Sequence, residues 1–384
     1  MDLTQLLAFT MQNDASDLHL SAGSPPIIRS SGLLKRVKAD PLSSDDIRTM
    51  LYSVMTEEQR AEYEKNMEID FAIALGEKAR FRVNGFTTRL GSSAVFRTIP
   101  TEVPLMSDLG LPPVMRRFAE LEKGIILITG PTGSGKSTTL ASMINHINLH
   151  ESKHILTIED PVEFFHKSEK SLINHREVGT DTNSFARALK SALREDPDVI
   201  LVGEMRDYET ISLALTAAET GHLVFATLHS NSAAKTIDRV IDVFPTGDKE
   251  MVRAMLASSL QGVVAQTLLR RADGNGRVGA FEILVGTNAV RNLIRENQIP
   301  QMYSMMQTGS RYGMVTMEDT ITDLLDAGII DKDEARRATL LTTGEEDEGG
   351  EEGYASGALG GGKLDGEEGS SAPSKKDDDG GYSF

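Results

Sequence analysis

"GIILITGPTGSGKSTTLASMINHI", residues 124–147, reads as three pieces in series: an apolar strand, a glycine-rich loop and an amphipathic helix. Gly130, Gly135, Lys136 and Ser137 fit the spacing G-x-x-x-x-G-K-[ST] in the strand-to-helix context that spacing needs. Glycine at 130, 133 and 135 permits a backbone path that turns successive N–H groups toward phosphate oxygens. The following helix adds the positive end of its dipole. The loop Gly130, Pro131, Thr132, Gly133, Ser134 and Gly135, with Lys136, Ser137 and Thr138, is therefore the expected nucleotide cradle. Lys136 is expected at the β- and γ-phosphates of ATP, and the Ser137 hydroxyl on Mg²⁺.

A second apolar run explains what stands beside that loop. In "DVILVGEMRD", 198–207, Val199, Ile200, Leu201 and Val202 do not alternate with polar residues, so both faces of the strand must be buried. In open α/β sheets ligands bind beyond the carboxyl ends of the strands, where this run delivers Glu204. A carboxylate there can polarise an attacking water or hold a metal through water; the competing reading is a capping or salt-bridged glutamate. Asp198, at the other end of the strand, reads as structural.

"HILTIEDPVEFFH" gives a third apolar strand, followed by Glu159, Asp160 and Glu163, which could supply a metal shell or orient a water. "TGHLVFATLHS" places His222 and His229 on either side of a fourth strand. Their odd separation puts them on opposite faces and argues against a shared zinc site. For His229 the spacing leaves two readings, a γ-phosphate sensor or a buried, hydrogen-bonded histidine.

Strands alternate with helical segments from residue 114 onward, as in a doubly wound α/β core over 114–343. Residues 1–99 read as an α+β domain. "LTQLLAFTMQND" is a helix, "SAGSPPIIRSSGLLKRV" two short strands, and "SSDDIRTMLYSVMTEEQRAEYEKN" a stretch of helical spacing. "IDFAIAL" and "ARFRVNGFTTRLGSSAVFRTI" form a meander. The Pro-rich 100–113 is the expected linker. Residues 344–384 hold 12 acidic and 3 basic residues, −9 of the chain's net −17, and little to bury. Such a tail is expected to be disordered.

The remaining body, at −8, offers no electrostatic footprint for duplex nucleic acid. With no cysteine in the 384 residues, disulfides, thiolate zinc sites and cysteine nucleophiles are excluded. No run approaches the roughly 20 apolar residues of a membrane span, and the N-terminus lacks signal-peptide features. The expected setting is the cytosol.

Together these motifs resemble the secretion ATPase superfamily, and within it the PilT-type branch of type IV pilus retraction motors. "ILTIEDPVEF" is similar to the family's Asp box, "ALREDPDVILVGEMRD" to its Walker B box and "TAAETGHLVFATLH" to its His box. "AVRNLIRE", 289–296, resembles a helix motif of the retraction branch, and "SDLHLSAGSPP" and "RFRVN" also match. The resemblance covers residues 1 to about 340. It implies a PAS-like domain over 1–99, a RecA-like domain over 114–343, a homohexamer and ATP hydrolysis. It further implies pilus disassembly at the inner-membrane platform protein PilC, on the cytoplasmic face, with membrane contact only through partners and the paralogue PilU as a possible companion. It makes Glu204 the catalytic glutamate, Glu163 the Asp-box glutamate and His229 the His-box residue. Among Arg80, Arg82 and Arg97 it favours Arg82 and Arg97 at the phosphates, a task suited to a permanently charged planar fork. The absence of cysteine favours retraction over extension and type II secretion ATPases, which commonly carry a tetracysteine zinc element. A PilU-type ATPase, a pilus-extension or type II secretion ATPase, a nucleic-acid translocase and a nucleotide-sensing scaffold are the alternatives.

Overall fold

The computed structural model describes residues 2–30, 32–76, 79–99 and 102–343; the acidic segment 344–384 lies outside them. Residues 15–99 supply one antiparallel sheet: β1 (Ala15–Ser21), β2 (Ile27–Ser30), β3 (Leu33–Arg36), β4 (Glu68–Leu75), β5 (Ala79–Thr88) and β6 (Gly91–Ile99). Their order is β3-β2-β1-β6-β5-β4. One face packs on the helices Leu3–Gln12 and Ser44–Tyr52 through Leu6, Leu7, Leu18, Ile47, Leu51, Phe81 and Phe96.

Two features go beyond what the sequence expectations specified. The stretch 43–66 is two helices, Ser44–Tyr52 and Glu57–Asn66, because Thr56 starts the second with a capping box closed by Gln59. The sheet also contains β1, which pairs with both β2 and β6 and buries Asp17. Its Asp and His residues hid it from a hydrophobic reading.

Beyond the Pro-rich segment and the helix Pro113–Ala119 lies the second sheet: β7 (Gly124–Thr129), β8 (His154–Glu159), β9 (Leu172–Glu177), β10 (Val199–Val202), β11 (Leu223–Leu228), β12 (Leu260–Arg270) and β13 (Arg277–Val285). Its order is β13-β12-β7-β11-β10-β8-β9, parallel except for β13. The unbroken apolar runs serve two cores at once. Ile125, Leu127, Ile200 and Val202 face one way, against helices Phe185–Ala192 and Tyr208–Glu219. Ile126, Ile128, Val199 and Leu201 face the other, against Pro113–Ala119 and Lys136–His150. Burial on both faces therefore leaves the strand tips as the place for polar chemistry.

Candidate nucleotide site

The register of the parallel sheet decides which tips meet. Val202 of β10 lies opposite Ala226 of β11 and Ile158 of β8, while Thr129, the end of β7, lies opposite Leu228. The segments leaving β7, β11, β10 and β8 consequently emerge side by side. They line a cavity of about 700 Å³ that includes Gly133, Gly135, Lys136, Ser137, Thr138, Glu159, Asp160, Glu163, Glu204 and His229. Arg82 and Arg97, paired across β5 and β6, line it from the antiparallel sheet.

The loop after β7 is shaped by what touches it. A Cβ on Gly130 (φ +146°) would lie 2.3 Å from the backbone oxygen of Gln266 and 2.6 Å from Ser134 Oγ. Gly135, the left-handed N-cap of the helix Lys136–His150, would meet Gln266 Nε2 at 2.9 Å. Gln266, on β12 and 4 % exposed, is the polar strut of this loop. Its Nε2 donates to Ser134 O at 2.8 Å, and its Oε1 accepts from Thr139 Oγ1 at 2.8 Å. The sequence reading missed it. A lone glutamine in a long strand looks like a solvent-facing residue, and only the register of β12 against β7 places it under the loop.

The Lys136 ammonium is largely buried and donates to Gly130 O at 2.8 Å and Pro131 O at 3.0 Å. Burial lowers its pKa below the usual lysine value, opposed by the negative charges of Glu204 and Glu163. Lysine and both glutamates thus share one electrostatic field, as the strand-tip reading expected.

Glu204 is held from two sides. Arg206 donates Nε–H to Oε1 at 2.5 Å and an Nη2–H to Oε2 at 2.7 Å; His229 Nε2 lies 2.9 Å from Oε1. Burial raises the Glu204 pKa, but the Arg206 hydrogen bonds and the charges of His229 and Arg206 outweigh it and leave the carboxyl below its ordinary value. Glu204 is therefore salt-bridged, as one of the two sequence readings had it, and also lines the cavity. His229 is placed by its neighbour: Ser230 N donates to Thr129 Oγ1 at 2.9 Å, tying the tips of β11 and β7. His222 sits at the opposite end of β11 with Nδ1 2.9 Å from Ala217 O, well separated from the cavity residues.

Glu159 is the most perturbed acid of the site. Burial pushes its pKa to about 7, against hydrogen bonds from Thr157 and the Glu163 backbone. Asp160 and Glu163 are exposed. Among the described residues no group of three or more His, Cys, Asp or Glu could hold a metal by itself. The Ser137 hydroxyl with Glu159 and Asp160 on the same cavity suits a cation that keeps waters and takes its remaining ligands from phosphate, the habit of Mg²⁺.

Other expected residues have structural duties. Asp198 Oδ2 accepts from His154 N at 2.8 Å, as its position suggested. Asp207 caps the helix Tyr208–Glu219 through Thr210 N at 2.9 Å. Arg82 lies 3.6 Å from Asp70, and Arg97 donates to Asp17 at 2.9 Å. Arg80 stacks instead on Phe165, 4.7 Å from the ring centroid. Gly130 and Ser134 shape the loop from behind and do not line this cavity, and Pro131 lines an adjoining one. Within the segment 289–296, Arg291 donates to Ala257 O at 3.1 Å, Ser258 O at 2.5 Å and Gly286 O at 2.8 Å, which fixes helix Asn288–Arg295 against helix Lys249–Ser259.

Comparison with known proteins agrees with this geometry. A family model described as type II/IV secretion system protein matches residues 2–337. The chain is 55% identical over 341 residues to the type IV pilus retraction ATPase PilT of Pseudomonas aeruginosa, covering 89% of this chain and 99% of that protein. To the type IV pilus ATPase PilU of the same organism it is 38% identical over 335 residues, covering 87% and 88%. A crystal structure of the pilus retraction motor PilT with bound ADP superposes with a TM-score of 0.82 at 47% identity, covering 88% of this chain and 97% of that one.

Proposed function

The chain belongs to the type II/IV secretion system protein family, in its ATP-hydrolysing pilus-retraction branch, and from that premise we propose how its site turns hydrolysis into retraction. The observation that carries the reading is the convergence of Lys136, Glu204, Glu163 and His229 on one cavity with the glycine loop. Phosphates of ATP sit on the backbone N–H groups of the loop from Thr132 to Thr138, and Lys136 leaves the Gly130 and Pro131 carbonyls for phosphate oxygens. The Glu204 carboxylate accepts a proton from water as the water oxygen attacks the γ-phosphorus. The bond from that phosphorus to the bridging oxygen breaks, and ADP departs with the electron pair. His229 keeps Glu204 aimed, and Glu163 contributes to the field that orients the water. Ser137, with Glu159 and Asp160, would hold Mg²⁺, which would supply charge neutralisation at the phosphates.

Arg82 and Arg97 bring the antiparallel, PAS-like part to the nucleotide held by the parallel, RecA-like part, adding positive charge to the transferring group. Loss of the γ-phosphate removes what these arginines grip, and the two parts separate. A homohexamer of such units passes the motion to the platform protein PilC at the cytoplasmic face of the inner membrane, with nucleic acid playing no part. Among the described residues no helix is long and apolar enough to cross a membrane, so attachment through partners fits. The higher identity to PilT than to PilU favours the principal motor over its companion. Deleting the gene and counting surface pili tests the proposal: cells with excess pili and no twitching motility support it, and bald cells overturn it.

A further inference from the structure

The clasp on Glu204 needs a reason to open. Arg206 occupies both carboxylate oxygens with a two-pronged grip, and His229 adds a third contact on Oε1. A carboxylate so fully engaged is a weak base with little room for a water. Glu204 itself is mostly buried, its side chain 19 % exposed, whereas the Arg206 side chain is 76 % exposed. A bidentate pair of this kind opens when another anion offers the same fork geometry, and the exposure of Arg206 leaves it room to swing to one. Arg206 also lines two adjoining cavities, the one that holds Lys136 and a second formed with Pro131, His229, Asn231 and Arg239. Its guanidinium fork suits phosphate oxygens as well as carboxylate oxygens. The nearby Asp160 charge gives it a further anionic neighbour on the nucleotide side.

We propose that Arg206 exchanges partners during the cycle: it clasps Glu204 when no terminal phosphate is present and transfers to the γ-phosphate of bound ATP. The exchange rests on the ATPase reading above and deepens it. With Arg206 on the phosphate, Glu204 keeps only His229 on Oε1, and Oε2 is free to accept the proton of the attacking water. ADP lacks the group that draws Arg206 away, so the base is engaged again once phosphate leaves. The same side chain therefore reports the terminal phosphate and arms the base.

The test uses the full-length chain with fluorescent ADP, a fluorescent non-hydrolysable ATP analogue and steady-state phosphate release. Arg206→Ala is expected to weaken the ATP analogue on the order of tenfold, the scale of one charge-assisted contact, while ADP affinity stays within about twofold. Turnover falls in parallel, and Arg206→Lys recovers part of both. Arg206→Gln, which keeps most of the side-chain volume, should reproduce the alanine result, with unchanged ADP binding showing that the loop is intact. If the analogue binds the variants as tightly as wild type, or if ADP affinity drops equally, the exchange is wrong. Wild-type turnover in that case would leave the ATPase reading standing, whereas a wild-type chain without turnover would remove the reading itself.

Discussion

Replacing Gln266 by methionine keeps the volume under the phosphate loop and deletes both of its hydrogen bonds. Ser134 O and Thr139 Oγ1, each 2.8 Å from the amide, lose their partner in a place where Gln266 and Thr139 are almost fully buried. An unsatisfied buried polar group costs about 1–3 kcal/mol. The Thr139 hydroxyl can turn back toward the carbonyl one helical turn earlier, which trims its share. The two groups together come to about 3 kcal/mol, at the lower middle of that range. Because the strut holds the conformation that receives phosphates, most of this cost should fall on binding, and at about 1.4 kcal/mol per tenfold it corresponds to roughly hundredfold weaker ADP. Titration of fluorescent ADP beside a thermal melt measures both routes by which the cost can appear. Adding Thr139→Val removes one of the two stranded groups, so the double variant should recover about 1 kcal/mol instead of losing more. Unchanged binding together with an unmoved melt for Gln266→Met would refute the strut, as would strictly additive losses in the double variant.

Two further outcomes follow from separate parts of the structure. Gly130→Ala forces a Cβ to 2.3 Å from the Gln266 backbone oxygen, which no rotamer can relieve. Strain of this sort costs several kcal/mol, so nucleotide binding should drop by more than about a hundredfold, read by the same titration. The His166 ring is buried, 7 % exposed, and burial pulls its pKa down to about 4 from the ordinary 6.5. Protons therefore bind the unfolded chain first: its stabilisation is complete above pH 6.5 and is lost as pH falls toward 4. On the linkage of 1.36 kcal/mol per pH unit the loss is about 3 kcal/mol. Wild type should fall behind His166→Phe by about that much between pH 7 and pH 4 in urea unfolding, and parallel curves would contradict it.

How much of this was legible in the chain itself follows from the kind of signal each residue gives. Val199–Val202 announced a strand buried on both faces because no alternating pattern is compatible with four consecutive apolar residues. Glu204, Glu159 and His229 could then be placed at strand tips, because polar residues just beyond such runs have nowhere else to go. The glycine-rich turn after β7 was readable because its glycines answer a local steric demand. Gln266 and the Thr129–Ser230 tie were not, since their meaning depends on register between strands more than a hundred residues apart. Strand β1 escaped for the opposite reason. Its buried Asp17 is held by Ser16 and by Arg97, a partner 80 positions away, and a hydrophobic pattern cannot show that pairing. Arg206 was visible as a residue next to the acid, yet its two-pronged hold on Glu204 belongs to the turn after β10 and to no pattern of types.

Phosphate release by Glu204→Gln, run beside ADP binding by the same preparation, bears most directly on the central claim that Glu204 is the base of the cavity. The amide keeps the shape of the side chain, offers Arg206 one acceptor in place of two, and cannot accept the proton of water. ADP affinity should remain within about twofold of wild type while turnover falls on the order of a thousandfold. A variant that binds ADP and still releases phosphate at the wild-type rate would contradict the account.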